Sequence, residues 1–123
     1  GIVAAARTVA SGTYPIEIGK LGGHRVSQRA APLLAAIVEE GWEDTDIARE
    51  AVRRYLADLP DIDTLLLGCT HYPLLEAAFR AALPAGVRLL DPATGKSWRV
   101  GDAMAVRLLA ADVSRGQIDF APA

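Results

Sequence analysis

Cysteine is almost absent from this chain. Its 123 residues hold one, Cys69, so no disulfide can close within it, a usage that suits the reducing cytoplasm. Neither sign of charge is in surplus: the formal net charge is −2, with mixed signs and no basic stripe, which excludes the usual footprint of a nucleic-acid partner. No apolar run approaches the ~18 residues that span a bilayer, so no membrane is implied. The opening Gly1-Ile-Val-Ala-Ala-Ala lacks a charged lead-in and is too short for a signal peptide. Walker loops, GxGxxG, CxxC and HExxH spacings are all missing, and the two histidines and one cysteine are spread too far apart to suggest zinc. No cofactor is called for.

What is present is a hydrophobic fraction of 51% dominated by alanine and leucine, enough for one buried core in a chain of single-domain length. Apolar runs near residues 2–6, 64–67 and 87–90, with a weaker one at 25–28, read as strands. Helical patterns lie between them. One runs from about Thr8 past Tyr14 to Gly22-Gly23. A second starts at Pro32, a residue favoured in the first helical turn. A third is capped by Asp44 or Thr45 and ends before Pro60. A fourth runs from about Pro73 to Leu83, and a last carries Val100, Met104, Ala105, Leu108 and Leu109. Asp91-Pro92-Ala93-Thr94 reads as the entry to that last helix, and His24 as an exposed residue at the start of the second strand. This βαβ rhythm predicts an α/β fold, flavodoxin-like and three-layered, with a mostly parallel sheet of about four strands and helices on both faces. The chain opens directly on a strand without an initiator methionine and reads as part of a longer polypeptide.

The chemistry concentrates in Gly68-Cys69-Thr70-His71-Tyr72-Pro73, between a strand buried on both faces and a helix. Such a turn lies at the carboxyl edge of a parallel sheet, where open α/β sheets bind ligands. On composition alone the bland reading of Cys69, a small buried hydrophobe, leads. Two aids to reactivity stand beside it: the positive end of the helix expected from Pro73 and His71, two residues away. Thr70 and the backbone N–H groups of the turn could receive an anion such as a carboxylate. A thiolate, an acid partner and an anion cradle suit nucleophilic attack or proton transfer at carbon, and the spacing does not choose. Elsewhere, Glu39 and Glu40 read first as a solvated helix end, Thr8 and Ser11 as helix caps, and Trp42 and Trp98 as packing residues.

The string Thr64-Leu-Leu-Leu-Gly-Cys69-Thr-His-Tyr-Pro-Leu-Leu closely resembles the second cysteine motif of bacterial glutamate racemases. Thr8-Val-Ala-Ser-Gly-Thr-Tyr14 resembles a Thr-Val-x-Ser-x-x-Tyr segment of that family. Ala31-Pro-Leu-Leu, with Val38-Glu-Glu-Gly41, resembles its Cys-Pro-Leu-Leu and Val-Glu-x-Gly stretches. The resemblance runs from about residue 1 to 110. It implies a cofactor-independent enzyme that interconverts L- and D-glutamate for peptidoglycan synthesis in the bacterial cytoplasm. A pair of cysteines on opposite faces of the α-carbon would exchange its proton. Cys69 takes the role of the thiol that deprotonates L-glutamate, and His71 that of the catalytic histidine assisting it. Thr70, Thr8 and Glu39 match substrate-binding positions.

Departures from the family pattern are informative. Family members are longer and begin with a domain carrying an Asp-Ser motif and the first cysteine in an Ala-Cys-Asn-Thr context, none of which occurs here. Ala5 stands where many relatives have threonine, and Ala31 replaces a cysteine outside the acid/base pair. The resemblance therefore implies the second domain alone, residues 1–113, followed by a tail over 114–123 that packs on the absent first domain or is disordered. Its partners would be glutamate and that first domain, and a homodimer is compatible with it. Two other readings remain open at this level: a related aspartate or other amino-acid racemase, and a non-catalytic truncated paralogue.

Overall fold

In the computed structural model the described residues are 1–99, 102–103, 106–112 and 117–122, with side chains described for 1–95. The sheet begins with β1 (Ile2–Ala4), β2 (Gln28–Ala30), β3 (Thr64–Gly68) and β4 (Arg88–Asp91). These four are parallel, as the sequence predicts, and lie in the order β2-β1-β3-β4. β5 (Lys96–Arg99) and β6 (Asp102–Ala103) extend the sheet beyond β4 as antiparallel strands.

The apolar runs of β1, β3 and β4 are continuous because both faces are covered. Val3, Leu65, Leu67 and Leu89 point into one core with α3 (Pro32–Glu39), α4 (Asp46–Ala57) and α5 (Glu76–Ala82), through Leu34, Ile37, Val52, Leu75 and Phe79 among others. Ile2, Ala4, Leu66 and Leu90 point the other way, to Tyr14, Val9 and Ile18 of α1 (Ala6–Ser11) and α2 (Thr13–Gly19). Helices therefore lie on both faces. α4 starts at Thr45, whose hydroxyl accepts the Ala48 N–H at 3.3 Å.

Several boundaries differ from expectation for physical reasons. The first helix is broken in two at Gly12, which adopts a left-handed φ of 67° that only glycine reaches freely. β2 lies at 28–30 rather than 25–28. It is an edge strand whose place is set by pairing with β1, Ile2 opposite Gln28, and Gln-Arg-Ala carries little apolar signal. The fourth helix opens with a 3-10 turn, Tyr72–Leu75, and becomes α-helical only at Glu76.

The Asp91 segment is not a helix entry. Its carboxylate accepts the Ala93 N–H at 3.0 Å and the Thr94 hydroxyl at 2.7 Å, which turns the chain back into β5. Nor is there a helix at Leu108 and Leu109. They lie in β7 (Val106–Asp112), paired antiparallel with β8 (Gln117–Pro122). A short apolar run fits either period, and a strand partner close in sequence decides it. Val100, Met104 and Ala105 of that expected helix lie outside the described residues. The expected boundary at residue 113 lies outside the described residues.

At Gly68 the backbone of β3 is closely hemmed in by β1 and Tyr14. A Cβ there would meet the Ala4 Cβ at 2.8 Å, the Val3 carbonyl oxygen at 3.1 Å and Tyr14 Cε2 at 3.2 Å. Gly68→Ala must push β1 or Tyr14 aside, so chemical denaturation is expected to show a loss of about 1–3 kcal/mol. An unchanged midpoint would mean that β1 and β3 are not this closely apposed.

Candidate active site

The strand order sets the location. The chain leaves β1 for β2 on one side and returns to β3 on the other, so β1 and β3 flank the point where the winding reverses. Ligands of open α/β sheets bind outside the carboxyl ends of the strands at that point. Ala4 pairs with Gly68, and the segments following them, Ala5–Thr8 and Cys69–His71, border the same edge. A separate cavity of about 480 Å3, lined by His24, Ser27, Asp61 and Asp63 among others, lies at the amino edge of the strands, away from Cys69.

Three of the predicted residues come together. Cys69 is half-buried at the end of β3. Its Sγ lies 3.7 Å from His71 Nδ1. On the far side of the ring, His71 Nε2 lies 3.3 Å from Glu39 Oε1 at the end of α3. The two form an ion pair when the ring is protonated. With its proton on Nε2 the neutral ring presents a bare Nδ1 to the thiol and can take its proton; in the imidazolium Nδ1–H faces the sulfur and the ring's charge faces Glu39. The thiol and ring thus form a path for one proton, with the carboxylate beside the ring as its counter-charge. The α-helical dipole, which acts within its first turn, begins well past Cys69 at Glu76, leaving His71 as the nearer aid.

The two threonines are placed differently. Thr70 is exposed in the turn and Thr8 is partly exposed in α1. Neither side chain makes a hydrogen bond among the described residues. Thr8 does not cap a helix: the residue before α1 is Ala5, without a side-chain bond. Ser11 instead donates to the Thr8 carbonyl at 2.6 Å and accepts the Thr13 N–H at 3.3 Å, where α2 begins. Glu39, expected at a substrate-binding position, has its carboxylate turned to His71.

Two neighbours escape a reading of the sequence. Tyr14 is buried against Gly68; burial first, then the Cys69 and Asp91 charges, push its phenol up to about 12. Tyr72 is fully buried, and burial followed by the Cys69 and Tyr55 charges raises its phenol as well. Tyr14 fits the apolar period with Ile18 and so looks like simple core; only the fold places it beside the thiol.

Comparison with known proteins finds similarity to one group of enzymes. No family model matches the chain. Glutamate racemase 2 of Caldanaerobacter subterraneus is 34% identical over 123 residues, 98% of this chain and 47% of that protein. The glutamate racemase of Thermus thermophilus is 39% identical over 118 residues, 95% of this chain and 44% of its own. The chain thus spans less than half the length of these curated relatives. Among solved structures, Bacillus anthracis glutamate racemase RacE1 superposes with a TM-score of 0.70 at 37% identity, over 74% of this chain and 35% of that one. The Francisella tularensis glutamate racemase in complex with D-glutamate gives 0.64 at 29% identity, over 68% and 33%.

The buried phenol makes a pH prediction. Tyr14 holds its proton more tightly folded than unfolded, so its contribution is full below about 10 and is lost as pH rises through about 12. Denaturation midpoints are expected to fall across this window in the native sequence and to fall less in Tyr14→Phe. Equal slopes for the two proteins would contradict the burial of Tyr14.

Proposed function

We infer that this chain, homologous to the glutamate racemases over almost its whole length, is the Cys69-bearing half of such an enzyme. The observation that carries the reading is the Cys69–His71–Glu39 path at the carboxyl edge, where β1 and β3 part. A thiol that can pass its proton to a ring, and recover it, is suited to general acid–base work at carbon.

In the direction from L-glutamate, the Cys69 thiolate takes the α-proton: the Cα–H bond breaks, an S–H bond forms, and the electron pair stays on the substrate's α-carbon and carboxylate. A second thiol, supplied by the other half of the enzyme, then gives its proton to the opposite face and D-glutamate results. His71 holds the proton that Cys69 loses when it is activated, and Glu39 lies beside the ring as its counter-charge. The unengaged hydroxyls of Thr70 and Thr8 border the same edge and are the groups that would hold the substrate's carboxylate and ammonium. Thiols and side chains suffice for this exchange, so the reaction needs no cofactor. Its product would serve peptidoglycan synthesis in the cytoplasm, a compartment in keeping with an unpaired cysteine.

The test is Cys69→Ser in the complete two-cysteine enzyme, following conversion of L-glutamate by circular dichroism with the α-deuterated substrate alongside. Losing the thiol is expected to slow the reaction by about 100-fold or more. Conversion at the native rate would remove Cys69 from the chemistry.

A further inference from the structure

We propose that Tyr72 is a positioning residue for the Cys69–His71 pair and that it acts through α3. Two consecutive residues of one turn hold opposite ends of one helix. The Tyr72 hydroxyl donates to the Ala31 carbonyl at 2.8 Å, immediately before α3. His71 Nε2 meets Glu39, the last residue of α3, at 3.3 Å. The eight-residue helix is about 12 Å long, so the two anchors bracket it.

The Ala31 end is the firm one. Ala31 and Tyr72 are both fully buried. The Ala31 N–H donates to the carbonyl of Ala4, the last residue of β1, at 2.8 Å, and its own carbonyl also accepts the Leu34 N–H at 3.2 Å. One residue therefore joins the end of β1, the start of α3 and the turn after β3. The Glu39 end is loose by comparison, its side chain 65% exposed. An ion pair so open to water contributes little on its own and does not hold a single geometry. What limits where the Glu39 carboxylate can reach is the position of α3, held from below by Leu34 and Ile37 and at its start by Tyr72.

This inference rests on the reading of Cys69 as an acid–base thiol for its importance. Its test uses neither glutamate nor the other half of the enzyme, so the two can fail separately. The probe is iodoacetamide acting on the 123-residue chain at neutral pH, where the single cysteine makes the rate unambiguous. Tyr72→Phe keeps the ring and removes the hydroxyl; with the fold checked by circular dichroism, alkylation is expected to slow roughly three- to tenfold. Glu39→Gln should slow it too, and the double variant should be no slower than Glu39→Gln alone. In Tyr72→Phe the His71 ring nitrogen resonances should move toward the average of two exchanging tautomers. Should Tyr72→Phe fail to fold, Ala36→Gly, at an exposed site midway along α3, loosens the helix between its anchors and should slow alkylation in the same way. A native rate in Tyr72→Phe, effects of Tyr72→Phe and Glu39→Gln that multiply, or a native rate in Ala36→Gly would each overturn the proposal.

Discussion

Parallel pairing of β1 with β3, closed up against Gly68, is the constraint on which the rest of this molecule depends. Ala4 and Gly68 are partners across the ladder, and a Cβ at Gly68 would lie only 2.8 Å from that of Ala4. Because this contact is tight, the segments that leave β1 and β3 emerge side by side. The chain also reverses its winding between these strands, the point at which open α/β sheets leave a crevice at their carboxyl edge. A thiol at the residue after Gly68 is therefore half-buried yet open on one side, the condition a proton-transferring group requires: enough surrounding protein to orient it and enough access to meet a substrate.

The partners of Cys69 come from separate layers. His71 belongs to the same turn, Glu39 to the helical layer on one face, and Tyr14 to the helices on the other. Each is delivered largely by apolar packing. Leu34 and Ile37 seat α3; Leu66, Leu90 and Ile2 seat Tyr14. The arrangement separates cost from function, because the buried apolar layers supply the stability while the polar contacts, mostly half-exposed, supply orientation.

The sequence made the parallel core readable because burial on both faces leaves uninterrupted apolar runs, Leu65-Leu66-Leu67 above all. The turn after them was readable because its residue types are chemically loaded. What could not be read are pairings between distant residues. Nothing in Pro32–Glu39 indicates that its last carboxylate faces His71, and the Tyr72–Ala31 bond joins residues 41 apart. Other short stretches depart from the local pattern for a related reason. β2 owes its register to β1, the Asp91 turn owes its shape to two side-chain hydrogen bonds, and β7 owes its strand conformation to β8. In each case a partner decided the local structure, and local pattern alone carries no record of the partner.

In the proposed two-thiol site this chain holds one side. The decisive measurement incubates the isolated 123-residue protein with L-glutamate and follows D-glutamate by chiral chromatography. One acid–base thiol can remove and return a proton only on its own face, so no D-glutamate above the uncatalysed background is predicted. Turnover at a rate ordinary for an enzyme, on the order of 1 per second or faster, would contradict it.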